Sequence, residues 1–225
     1  MPDFIDFDLL NFARGPALRI SLGIFVLGIT WRLVRLFLMP RINVSSVSRV
    51  GAGSVMLGGV TEFFRKMRTG KAFAGRTTLS QINGWVFHVG LLIVVVGLGA
   101  HIMFIKHLFG VSWPNLPSNV VFLVAVVTLV SLLAALYHRM TSPVLRIIST
   151  SNDYFTWFVT TLPLVTGLLA TMHLGLRYET LLALHILSIC LLLIWFPFGK
   201  LMHAFLVFVT RGKTGMEKAR RGVVS

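Results

Sequence analysis

Residues 178–203 read YETLLALHILSICLLLIWFPFGKLMH, an apolar run with a histidine near each end. Roughly 20 apolar residues cross the hydrocarbon core of a bilayer. The run therefore reads as a membrane span, extended to about 180–209, with Pro197 inside it predicting a kink. Four more segments of this kind precede it, over about 17–39, 84–105, 118–137 and 154–174. The expected fold is an all-α integral membrane protein, one domain over 1–225 built as a bundle of five transmembrane helices.

Composition agrees. Of 225 residues 56% are apolar and 12% charged, and the mean hydropathy is +0.84. A soluble domain carries about 25% charge, and a chain this apolar cannot stay solvated as a disordered one. The formal charge is +14, which in a soluble protein would point to nucleic acid. Here the excess belongs in loops facing anionic lipid and partner subunits, so no nucleic-acid partner is expected.

The placement of those cations predicts orientation. Seventeen Lys and Arg lie between Arg32 and Arg76, in the loop with Arg139 and Arg146, or from Lys200 onward; Arg14, Arg19, Lys106 and Arg177 lie on the other side. The positive-inside bias puts the N-terminus outside and the C-terminus in the cytoplasm, in the inner membrane. The start, Met1-Pro2-Asp3-Phe4-Ile5-Asp6-Phe7-Asp8, lacks the basic head of a secretory signal, so the first span is expected to be retained.

Residues 40–83 form a basic cytoplasmic loop. Within it Met56, Val60, Phe63, Phe64 and Met67 recur every three to four residues, which predicts an interfacial amphipathic helix lying on lipid or offering a docking surface to a cytoplasmic subunit. Gly51-Ala52-Gly53 opens like a dinucleotide fingerprint, but Leu57 stands at its third glycine position and no strand precedes it, so that reading is rejected.

The chemistry lies in the histidines. Of seven, His107 and His138 are expected in loops or at an interface; His88 and His203 sit near the cytoplasmic ends of the second and fifth spans, His185 and His101 near their exterior ends, and His173 closes the fourth. Imidazoles inside a membrane are expensive and mark function by default. His185 and His203 are 18 residues apart, five turns of a straight helix, so both rings should face one way. His88 and His101 are 13 apart, which on a straight helix turns His101 away from the face of His88 unless Gly97 and Gly99 permit a bulge or unwinding.

Two layers of imidazole suit haem iron held between facing helices. Gly84, Gly90, Gly97, Gly99 and Gly167 would make room for a porphyrin, although glycine is also common at ordinary helix contacts. Zinc would want Cys or carboxylate at the same level, and a proton relay would want Asp or Glu; neither is placed at these depths by the sequence reading. Cys190 stands alone, so the chain builds no iron–sulfur cluster of its own. Packing or hydrogen-bonding histidines, and a transport role, remain the competing readings.

The segments Phe87-His88-Val89-Gly90-Leu91, Ser142-Pro143-Val144-Leu145-Arg146, Leu184-His185-Ile186 and Phe196-Pro197-Phe198-Gly199-Lys200-Leu201-Met202-His203 resemble the respiratory nitrate reductase gamma subunit family. These are the five-span cytochrome b subunits of membrane quinol oxidoreductases, with relatives in heterodisulfide-reductase-like and sulfite-reductase-linked complexes. The resemblance covers about residues 81–211. It implies two b haems bridging the second and fifth spans, with His88 and His203 on the cytoplasmic-side iron and His185 on the exterior-side iron. The family's second-span partner lies ten residues after the first histidine, which here is Leu98. Three arrangements stay open: His101 supplies the fourth ligand, His173 does, or the exterior haem is absent.

The function expected on this basis is a cytochrome b subunit that passes electrons between a membrane quinone pool and a separate cytoplasmic iron–sulfur or catalytic subunit. Lys106 and His107 lie where a quinone head group would be met, though snorkelling and solvation also account for them. Arg139, Arg146 and Lys200 are candidate partners for haem propionates. The alternatives are a haem-free membrane anchor or a transporter.

Overall fold

The computed structural model describes residues 8–40, 54–65, 67 and 74–222, and every regular element among them is helical. In chain order these are α1 (Asp8–Leu38), α2 (Val55–Arg65), α3 (Ala74–Gly97), α4 (Gly99–Phe109), α5 (Ser118–Thr141), α6 (Pro143–Ile148), α7 (Ser151–Met172), α8 (Tyr178–Trp195) and α9 (His203–Arg220). Five of them, α1, α3 over Thr77–Gly97, α5, α7 and α8, are long and apolar enough to cross a membrane, the architecture of a multi-pass membrane protein. Gly51-Ala52-Gly53, Arg41, Arg49, Lys66, Arg68 and Lys71 lie outside the described residues.

Three spans differ from their sequence reading. The first is already helical at Asp8, the first described residue, and a π-helical turn at Ala13–Ala17 encloses Pro16; the wider turn accommodates a residue that lacks an N–H and crowds the preceding turn. The second is not continuous over 84–105, because α3 ends at Gly97 and Leu98 is extended, with φ −78° and ψ 127°. The fifth does more than kink. Here α8 stops at Trp195, a turn carries Pro197, and a short 3₁₀ segment, Lys200–Met202, leads into α9. The five-turn argument linking His185 to His203 therefore does not apply.

Two apolar cores hold the spans. Leu10 and Ala13 of α1 pack with Ala183 of α8, while Ala125 and Leu132 of α5 pack with Leu164 of α7, flanked by Phe87 and Val94 of α3. Polar bonds join the same helices where water is absent. The Ser131 hydroxyl donates to Asn83 Oδ1 at 2.7 Å and Asn83 Nδ2 donates to the Ser131 carbonyl at 3.0 Å; the Trp157 indole donates to the Leu132 carbonyl at 2.8 Å. At Gly90 the backbone of α3 comes so close to α5 that a Cβ would stand 2.0 Å from Thr128 Oγ1. At Gly28 a Cβ would lie 2.6 Å from the Pro197 ring, so α1 seats the turn that ends α8.

The amphipathic helix expected in the basic loop forms as α2, and it packs on α9 by its glycines and Phe63 while the rest of its apolar stripe stays exposed. Gly58, Gly59 and Glu62 lie against Gly212, Gly215 and Ala219 of α9, and Phe63 stacks on Phe208 at 5.2 Å; Met56, Val60 and Phe64 stay exposed. Glu62, only 3% exposed, pairs with Lys218 and Arg65. The Lys218 ammonium bonded to it holds the Glu62 carboxyl below the ordinary carboxylate range.

Gly90→Ala should cost about 1–3 kcal/mol through overpacking against Thr128, read as a lower unfolding midpoint in detergent. Because the Glu62 pKa is depressed on folding, its contribution is complete above the ordinary carboxylate range and is lost as pH falls through the lowered value. The protection factors of amides in 55–65, corrected for the intrinsic pH dependence of exchange, should fall selectively on acidification, and Glu62→Gln should abolish that loss.

Candidate functional site

The break at Leu98 decides where His101 points. A helix end leaves its last four carbonyls without partners, here those of residues 94–97. His101 Nδ1 donates to the Val94 carbonyl at 3.1 Å, the Trp113 indole to Val96 at 2.7 Å and the Leu116 N–H to Gly97 at 3.0 Å. The loop after α4 thus folds back over the break. A Cβ on Gly97 would stand 2.8 Å from the Leu116 Cδ1 methyl, so the glycine lets that side chain pack closely over the break. The break replaces the straight-helix phase that would have turned His101 away.

Its ring lies parallel to that of His185, with centroids 6.2 Å apart and 16° between planes. At the basic end of the bundle, where Arg139 and Lys200 lie, the His88 and His203 rings stand 6.1 Å apart at 89°. The structure thus brings four of the sequence-selected histidines together as two pairs, each joining the broken second span to the broken fifth. The helices that carry them do not pack on each other extensively: α3 packs on α5, and α8 on α1 and α7. The imidazoles reach across the space between.

All four Nδ1 atoms are engaged. His88 Nδ1 donates to the Gly84 carbonyl at 2.7 Å and His203 Nδ1 to the Lys200 carbonyl at 2.8 Å; His185 Nδ1 meets Thr166 Oγ1 at 3.2 Å, itself 3.0 Å from Ser188 Oγ. No Nε2 of the four is hydrogen-bonded among the described residues. A histidine that binds metal through Nε2 holds its other nitrogen in this way. Two imidazoles on opposite sides of one metal, each nitrogen about 2.0 Å from it, have centroids about 6.3 Å apart. Both pairs match that span, and no group of three or more His, Cys, Asp or Glu that could hold a metal occurs among the described residues. Two-ligand ion sites completed by a macrocycle fit this donor set.

The remaining histidines go elsewhere. His173 caps α7 in the left-handed region, φ 54°, and stacks on Tyr178 at 5.1 Å. Lys106 and His107 occupy the last turn of α4, exposed, and neither side chain makes a hydrogen bond or ion pair among the described residues. His138 is exposed at the end of α5. The glycines divide as well. A Cβ on Gly167 would meet the His185 ring at 3.0 Å, and Gly84 faces open space, whereas Gly90, Gly97 and Gly99 face Thr128, Leu116 and Asn115.

Sequence reasoning missed one acidic group. Asp153, placed by α7 at the level of the turn before His203, accepts from Lys200 Nζ at 2.6 Å and lies 3.2 Å from Arg139. Two of the three cations considered for propionates are therefore already paired. Beside His203 a cavity of about 750 Å³ is lined by Arg32, Asn152, Phe198, Met202, Leu206 and Val207, among others. Arg32 makes no ion pair among the described residues.

A protein of Nitratidesulfovibrio vulgaris is 31% identical over 223 residues, covering 94% of each chain. The chain belongs to that protein's family. The relative's name states no activity, and no family model matches the chain.

Trp113→Phe should leave the Val96 carbonyl unpaired and cost about 1–3 kcal/mol, with faster amide exchange at 99–102 as the local signature.

Proposed function

We propose that the protein is a cytochrome b membrane subunit, holding two b haems and passing electrons between a membrane quinone pool and a cytoplasmic iron–sulfur or catalytic partner. The observation that supports this most is the pairing of four imidazoles at 6.1 and 6.2 Å between the two broken spans. His88 and His203 would hold one haem, and His101 and His185 the other. His101 is preferred to His173 because its ring stands opposite His185, whereas His173 is engaged with Tyr178.

A bound haem b supplies a one-electron iron couple in an apolar setting. The protein's part is orientation and exclusion of water. Carbonyl acceptors at Nδ1 of His88, His101 and His203 select the tautomer with Nε2 free and raise the basicity of those rings, and the Thr166 hydroxyl orients His185. Gly167 makes room for the His185 ring, and Arg32 at the cavity beside His203 suits a carboxylate side chain of the cofactor. On the positive-inside bias the His88/His203 pair would lie on the cytoplasmic side of the inner membrane, where the basic face would receive the partner subunit. Lys106 and His107, exposed at the opposite end, are the residues proposed to meet the quinone head group.

A dithionite-reduced minus oxidised spectrum of the purified protein should show a b-type band, with about two haems per chain. His88→Ala and His203→Ala should each remove the same haem, His101→Ala and His185→Ala the other, and His173→Ala neither. Absence of any b-type band would leave a haem-free anchor or transporter as the reading.

A further inference from the structure

We propose that Asp153 is a positioning residue for His203, acting through Lys200. The inference deepens the haem reading and rests on it.

Asp153 is 9% exposed. It sits at the third position of α7, where it completes a capping box with Thr150. Capping alone does not require two further cations, and a buried carboxylate costs several kcal/mol unless it is paired and hydrogen-bonded. Both its oxygens accept from Lys200 Nζ at 2.6 Å, and Arg139, which also donates to Ser149, lies 3.2 Å away. A carboxylate on α7 is thereby committed to the residue that opens the 3₁₀ segment before α9.

That same residue supplies the acceptor for the ligand ring. The Lys200 carbonyl takes the His203 Nδ1–H at 2.8 Å. The turn holding it is fixed from the other side by Trp195, whose carbonyl accepts from the Phe198 and Gly199 N–H groups and whose indole donates to Thr156 of α7 at 3.1 Å. His88 needs no such device, because its acceptor, Gly84, lies one turn away in an unbroken helix. His203 follows a helix break, so its acceptor is only as well placed as Lys200. The bond at Nδ1 sets the tautomer, direction and basicity of an imidazole ligand. Asp153 therefore tunes the iron held by His203 without touching it.

The test is a redox titration of the purified holoprotein, following the two b-type centres separately. Weakening the Nδ1 bond makes the ring a poorer donor to ferric iron and favours the reduced state. Asp153→Asn and Lys200→Gln should each shift the reduction equilibrium of the His88/His203 centre at least threefold toward reduced and leave the His101/His185 centre unmoved. Through-space charge acts otherwise: removing an anion and removing a cation move the potential in opposite directions. Same-direction shifts, or loss of that one centre with the other retained, support the proposal. Opposite shifts, no shift, or equal shifts of both centres overturn it. Asp153→Glu should restore the wild-type equilibrium, and Thr150→Ala, which removes the cap but keeps Lys200 on the carboxylate, should not alter it. An equal shift in Thr150→Ala would assign Asp153 to the folding of α7 alone. Wild-type protein with no b-type band would instead remove the haem reading itself.

Discussion

Inside a hydrocarbon layer a backbone carbonyl or N–H with no partner costs several kcal/mol, because no water is present to take its place. A helix interrupted in a span is tolerated only where the protein supplies those partners. Two interruptions occur here, at Leu98 and between Trp195 and His203, and both are closed by side chains and loops from the same bundle. Three of the four carbonyls at the first break are taken by His101, Trp113 and Leu116. At the second, the Phe198 and Gly199 N–H groups return to the Trp195 carbonyl and the His203 ring takes the Lys200 carbonyl. Each break delivers a histidine. The polar atoms freed by ending a helix fix the ring that follows it, so the interruption of the spans and the placing of the imidazoles have one cause.

The packing around the pairs follows from the same arrangement. The apolar cores lie on either side, α1 with α8 and α3 with α5 and α7, and the helices that carry the histidines are held by those neighbours instead of by each other. Tight approaches at Gly90 and Gly28 draw α3 onto α5 and α1 onto the Pro197 turn. Gly28 and Gly90 thus serve the contacts with neighbouring helices, while Gly167 lies against the His185 ring.

The five spans were legible because length and apolar content alone decide them, and the helix at α2 because its period is helical. Its contact with α9 was not, since Gly58 and Gly59, which make the close approach, carry no apolar period. The histidine layers could be read from spacing, but the His101 partner could not. Gly97 and Gly99 permit a break without requiring it, and the residues that require it, Trp113 and Leu116, lie in a loop with no periodic signal. Asp153 and Lys200 are 47 positions apart, so nothing local to either announces that they meet. Placing His173 and His101 as rivals reflected depth; a left-handed cap at His173 settled where its ring goes.

Paramagnetic resonance of the oxidised, purified protein bears most directly on the imidazole pairs. The planes of two ring ligands determine how the π orbitals of ferric iron split: parallel rings act on one orbital and give a rhombic spectrum, crossed rings act on both and give a strongly axial one. With planes at 16° for His101/His185 and 89° for His88/His203, two low-spin ferric signals are expected, one of each kind. Protein with no low-spin ferric haem signal would refute the assignment of these four histidines as iron ligands.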